Sequence, residues 1–333
     1  MSDSRKIVVL GANSFSGQDF VDLLLDDPRN EVIGISRSPL RGPAFIRHLH
    51  RDNLSKFRYF ALDMNSDIDR IMKLLDAERP QAIVNFAAQS EVAPSWENPH
   101  HWFQTNCVAL ARLVNHLRDK KYLERYLHVS SPEVYGTCIG TVLEDAPVNP
   151  STPYAASKAA ADMLLDTYRR QFGFPLLTVR ATNVYGARQQ LFKIIPRSVL
   201  YMKSGRTIPL HGGGRAVKSY IHIRDISRGE LAILDSGRVG ETYHLSPDAG
   251  VSVRQVVGAV AKRLGVDFAQ AVEIVDERPG QDAAYVIDST KARGELGWSP
   301  RIDFASGIDE VVAWVEENWD VLRNEPWEYQ HKA

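Results

Sequence analysis

The stretch "KIVVLGANSFSGQDFVDLLLDD" (residues 6–27) constrains this chain most. A β-branched run passes through a glycine turn into apolar residues at helical spacing, which predicts strand, tight turn and helix in immediate succession. In "GANSFSG" (11–17), Gly11 permits the tight turn and Gly17 allows close packing of the helix. Peptide N–H groups at the helix start, around Ser14 and Phe15, can hold a pyrophosphate. Ser14 stands where a middle glycine is usual.

The pattern then repeats. Strands are expected at 31–36, 57–63, 81–88 and 126–131, with helices at 67–80 and 100–121 between them. Such alternation predicts an α/β fold with a parallel, doubly wound sheet of Rossmann type. A helix at 153–173 and a strand at 175–182 follow, then loops dense in Gly and Pro, then helices near 252–265 and 306–322. Residues 1–180 are read as mainly a dinucleotide-binding domain. Residues 181–330 are read as mainly a smaller, interleaved substrate domain, with short segments crossing back.

The 333 residues carry 40 Lys plus Arg against 41 Asp plus Glu, so no global field attracts nucleic acid or an anionic membrane. An anionic ligand must be met by local positive groups. Two cysteines, Cys107 and Cys138, give neither a disulfide framework nor zinc spacing, and the histidines form no complete metal-ligand set. No apolar run has the length of a membrane span, and "MSDSRKIVVLGAN" lacks a signal-peptide core. A soluble, cytoplasmic protein is expected.

The second strand ends "ISRSPLRG" (35–42), offering Ser36 and Arg37 where NAD binding usually places a carboxylate. A guanidinium suits a 2′-phosphate, so NADP is expected in preference to NAD. Asp63 and Met64, after the third strand, are placed beside the adenine.

"YAASK" puts Tyr154 and Lys158 four apart, on one face of a helix. A nearby ammonium favours phenolate, turning the tyrosine toward service as a base. Ser131, at an earlier strand end, can hydrogen-bond the substrate oxygen. Together they suit proton removal from an alcohol as hydride leaves its carbon for a nicotinamide.

On these motifs the chain resembles an extended short-chain dehydrogenase/reductase, and within it the nucleotide-sugar 4,6-dehydratases of the dTDP-glucose and GDP-mannose types. The likeness extends over nearly the whole chain. "NFAAQSEVAPSWENP" (85–99) resembles the loop after the fourth strand, which implies Ala87, Ala88 and Gln89 beside the cofactor, and Ser90 and Glu91 toward the substrate. "TNCVALARLV" (105–114) supplies Asn106 as a cofactor-side residue. "RATNVYG" (180–186) and "KIIP" (193–196) imply substrate contacts through Asn183 and Lys193. "ERPGQDAAYVIDSTKARGELGWSP" (277–300) adds Arg278. Lys218 stands where the family has arginine, with Arg215 a competing cation. The resemblance implies a nucleotide-diphosphate hexose substrate, a cofactor retained through turnover, and a homodimer formed through the helices at 100–121 and 153–173.

"SSPEVYG" (130–136) departs from that family. Ser131 replaces its threonine, and Glu133 matches the glutamate that removes the proton at sugar C5. The residue between, which in the dTDP-glucose type donates a proton to the leaving C6 hydroxyl, is Pro132, and proline has no proton to give. Three readings stay open. The first is a 4,6-dehydratase with another acid, Glu91 being the candidate. The second is an epimerase, decarboxylase or 4-dehydrogenase of the same superfamily. The third, remote from these, is a non-catalytic NADP-binding sensor, against which Ser131, Tyr154 and Lys158 argue. A glutamate beside the serine points to chemistry at C5 and ranks the dehydratase first.

Overall fold

Ile7 and Val9 point to one side of β1 (Arg5–Leu10), Val8 and Leu10 to the other, and all four are fully buried. A strand buried on both faces needs helices above and below it. The computed structural model describes residues 4–137, 140–276 and 286–332, and it supplies both layers. β1 pairs in parallel with β2 (Asn30–Ser36) on one side and β4 (Ala82–Asn85) on the other. β3 (Phe57–Ala61) continues outward from β2. β5 (Arg125–Val129), the strand Leu176–Ala181 and the strand Thr242–Leu245 continue outward from β4. All seven strands are parallel, and the order reverses between β1 and β4, where such sheets open a ligand crevice.

On one face α1 (Phe15–Leu24) and the helix Ile223–Ser236 bury Phe20 and Ile233 against Ile7, Val9 and Leu177. On the other, α2 (Ile68–Glu78), α4 (Leu110–Leu117) and α5 (Pro153–Phe172) bury Ile71, Leu113 and Leu165 against Val8 and Leu10. A second core, around Tyr185, Val199, Val256, Val311 and Trp314, lies among the helices Ile194–Lys203, Val253–Leu264 and Phe304–Glu317. Segments of the chain cross between these cores. Ala44 and Phe45 sit in the later core, where Trp314 Nε1 donates to the Ala44 carbonyl at 2.7 Å, and Thr242–Leu245 returns to the main sheet.

The helix expected at 100–121 is not continuous. It consists of α3 (Pro99–Phe103), a π-helical stretch over Gln104–Ala109, and α4. Widened turns of this kind re-aim side chains and recur at functional sites; here the stretch carries Asn106. α2 ends at Glu78 because Arg79, just before Pro80, turns left-handed (φ 51°). Among the described residues no helix is long and apolar enough to cross a membrane.

Candidate active site

The end of β1 turns at Gly11 (φ 82°) hard against the end of β4. A Cβ there would lie 2.8 Å from the Ala87 nitrogen, and one on Gly17 would lie 2.2 Å from the Gly11 oxygen. Both positions require glycine. Ser14 caps α1, its Oγ accepting from the Gly17 N–H at 3.0 Å, so the missing glycine is replaced by a helix cap.

Beside this turn opens a cleft of about 250 Å³. Gly11 and Ser14 line it from the turn, Ser36 and Arg37 from the end of β2, Asp63 and Met64 from beyond β3, and Ala87, Ala88 and Gln89 from beyond β4. Phe15 and Gly17 lie behind the turn, buried in α1. Asn106 is also set back. Its amide is spent on the backbone of Gln89, at 2.9 and 3.0 Å, and on Ser157 Oγ at 2.9 Å, so it acts on the cleft by holding the Gln89 loop.

The cleft also has residues that motif reading did not single out. Asn13 donates from its backbone to Ser36 Oγ at 2.9 Å, and Asn65 donates to Thr105 Oγ1 at 3.0 Å. Asn65 Oδ1 is buried and has no hydrogen-bond partner among the described residues, which leaves it an acceptor without a donor. Two glycines clearing a helix start, with that acceptor at the far end, fit a dinucleotide.

The chemistry-bearing side chains meet where β5 ends and α5 begins. Thr152 caps α5 through the Ala155 N–H, Pro153 occupies its first turn, and Tyr154 and Lys158 follow one above the other, both buried. Ser131 caps a single 3₁₀ turn, Pro132–Tyr135, its Oγ accepting from the Glu133 N–H at 3.2 Å. Pro132 occupies the first position of that turn, where a backbone N–H would have no partner. The proline therefore suits the turn that presents Glu133.

Burial pushes the Tyr154 phenol up from its ordinary range. Glu133 and then Glu91 push it the same way, while a hydrogen bond with Ser131 works against them. Ser131, Glu133, Glu91 and Tyr154 thus share one site. Burial lowers Lys158 to about 8, with the charge of Asp162 opposing the fall. Its Nζ donates to the Val129 carbonyl at 2.8 Å.

Glu91 accepts from Lys193, with Nζ 2.7 Å from Oε1, so in this arrangement it is an acceptor rather than a proton donor. Asn183 starts the short strand Asn183–Tyr185, and its buried Nδ2 has no hydrogen-bond partner among the described residues. Ser90 is exposed on its loop, and Lys218 lies in a two-residue strand beside Val251. Arg215 is exposed after the turn Gly212–Gly214. Arg278 lies outside the described residues.

Sequence reading gave no sign of the chain's last turn back. The Lys332 carbonyl accepts from Gln89 Nε2 at 2.6 Å and from Arg37 Nη1 at 3.2 Å, two residues of the cleft. His331 stacks on Trp102 (5.2 Å between centroids, 7° between planes) and hydrogen-bonds His101 at 2.8 Å. Tyr329 packs edge-on against Phe192.

A parallel sheet with its glycine turn at the switch point, and a Ser–Tyr–Lys set beside that crevice, define a short-chain dehydrogenase/reductase. The family model for GDP-mannose 4,6 dehydratase matches residues 8–311. The dTDP-glucose 4,6-dehydratase of Xanthomonas campestris pv. campestris is 34% identical over 275 residues, 77% of each chain. The solved dTDP-glucose 4,6-dehydratase DesIV of Streptomyces venezuelae, with NAD bound, superposes with a TM-score of 0.87 at 32% identity, covering 95% of this chain and 98% of its own. That of Bacillus anthracis, also with NAD, gives 0.84 at 26% identity, covering 98% and 99%. The chain belongs to the nucleotide-sugar 4,6-dehydratase family of extended short-chain dehydrogenases/reductases.

Proposed function

We propose that this chain is a lyase acting on a nucleotide-diphosphate hexose, removing water across C5 and C6 of a sugar first oxidised at C4. The observation that carries this reading is Glu133, presented by a turn whose cap, Ser131, also bonds Tyr154. When bound, the nicotinamide dinucleotide supplies the hydride acceptor at C4 and the hydride donor at C6. Ser131 hydrogen-bonds the C4 oxygen while Tyr154 takes its proton, which requires positive charge such as the Lys158 ammonium to outweigh the burial, Glu133 and Glu91 that push the phenol up. Glu133 then removes the C5 proton, made acidic by the new C4 carbonyl, and C6 loses its hydroxyl.

Pro132 brings no acid to that leaving group. Glu91 remains the proposed donor, which requires Lys193 to be drawn away by the ligand's diphosphate and Glu91 to take up a proton. The second reading, favoured by Pro132 itself, is chemistry at C5 without loss of water, as in an epimerase. Product masses after Glu91→Gln and Pro132→Asp substitution discriminate the two.

For the cofactor we propose NADP, retained through turnover, because Ser36 and Arg37 replace the carboxylate that would repel a 2′-phosphate. NAD is the alternative, since Arg37 already donates to Lys332 and the solved relatives carry NAD. Calorimetric titration with each dinucleotide decides. Asn183, Lys193, Lys218 and Arg278 are proposed to hold the sugar nucleotide on the later body, residues 181–330. The exposed apolar side chains of Phe103, Val108 and Met163, on α3, the π stretch and α5, support a homodimer, proposed to work in the cytoplasm. Sedimentation of the wild-type chain and of Met163→Glu tests the dimer.

A further inference from the structure

Asp162 follows Lys158 by one helical turn and Tyr154 by two, so the three side chains share a face of α5. Its carboxylate is buried, with the side chain 10% exposed, and it bonds to two elements besides its own helix. Oδ2 accepts from Ser130 Oγ at 2.7 Å and from Arg180 Nη2 at 2.8 Å. Oδ1 lies 3.4 Å from His128 Nε2, and that same nitrogen lies 3.5 Å from Lys158 Nζ. One carboxylate therefore joins the end of β5, where Ser131 begins, to the helix carrying Tyr154 and Lys158 and to the strand Leu176–Ala181.

Resting on the reading of Ser131, Tyr154 and Lys158 as the oxidising set, we propose that Asp162 is a positioning residue. It keeps the buried Lys158 side chain charged and fixes it against the strand end that carries Ser131.

A buried ammonium without a counter-charge sheds its proton. Lys158 is faced by His128 and the Val129 carbonyl from β5, by Arg180 from the strand Leu176–Ala181, and by Cys107 from the π stretch. His128 is held neutral by its burial, to about 4. Arg180 opposes the ammonium and is backed by Tyr135, which His244 bonds in turn. After burial, Asp162 has the largest influence on Lys158, and it is the only carboxylate among these groups. The alternative is that Asp162 and Arg180 form an ion pair with a purely structural role.

The test is NMR titration of ¹³Cε-lysine-labelled protein carrying its cofactor, with the Lys158 signal assigned by its loss in Lys158→Met. The pH profile of kcat/KM is measured in parallel. In Asp162→Asn the Lys158 midpoint is expected to fall by about 1 unit, and the alkaline limb of the rate to move down with it. Because Asp162→Asn leaves Arg180 buried without its carboxylate, Asp162→Asn/Arg180→Gln is the companion that leaves no orphaned charge. Its midpoint should fall in the same direction but less, since Arg180 pushed the other way. A purely structural role would lower the melting temperature and the rate at every pH while leaving the midpoint at its wild-type value, and that result overturns the proposal. If the unsubstituted chain turns over no nucleotide sugar, the functional reading fails, while the midpoint still judges Asp162.

Discussion

Glu133 and Tyr154 divide the proton work, so their variants fail at different steps. Glu133→Gln should still oxidise C4, seen as reduced-cofactor absorbance, while water loss slows by about 10²–10⁴. Equal loss of both steps would remove Glu133 from its role at C5. Tyr154→Phe should stop oxidation itself. Lys158 titrates at about 8, so its ammonium is present below that pH and lost above it. Activity that depends on the ammonium should therefore decline above about pH 8. Pro132→Asp places a carboxyl in the first turn of the 3₁₀ segment, where an acidic side chain is favoured and no backbone N–H is needed. Elimination should then accelerate with C4 oxidation unchanged. An unaltered elimination rate would mean that the leaving hydroxyl already receives its proton from elsewhere.

Two elements hold the site's geometry through their first turns. Thr152→Ala removes the cap of α5 and should cost about 1 kcal/mol of stability, read by chemical denaturation, with activity per folded molecule retained. Gly17→Ala would set a Cβ 2.2 Å from the Gly11 oxygen, so the turn must open and dinucleotide affinity should collapse. Elements with one dominant period were legible before the structure. β1, α1 and β5 read cleanly because their apolar residues alternate or recur at helical spacing. Ser131, Tyr154 and Lys158 stood out for the same reason: each lies at a fixed offset from such an element. The π stretch at Gln104–Ala109 was not legible, since its apolar pattern suits an unbroken helix and the extra residue per turn is fixed by Asn106 bonding across to Gln89 and Ser157. The strand Thr242–Leu245 was missed because its partner, Leu176–Ala181, is remote in sequence. Asp162 belongs to no motif, and its bonds to Ser130 and Arg180, 32 and 18 residues away in sequence, are made only by the fold.

At the scale of the molecule, the final segment returns to the cleft beside the glycine turn. The Lys332 carbonyl bridges Gln89 and Arg37, so a dinucleotide leaving the cleft must part these contacts or pass beside them. Each hydrogen bond is worth about 0.5–1.5 kcal/mol. Removing residues 328–333 should accordingly speed cofactor dissociation roughly tenfold, measured by fluorescence during dilution; an unchanged rate would leave the segment without a retaining role. Dehydration across C5 and C6 is the reaction on which the roles of Glu133, Tyr154 and Pro132 all depend. Its most direct test is mass spectrometry of dTDP-, UDP-, GDP- and CDP-hexoses incubated with the chain in D₂O. Loss of one water with one deuterium gained at C5 is the predicted result. Deuterium exchange at C5 with the water retained would contradict it, and would make the chain an epimerase-like enzyme in which Glu133 works without elimination.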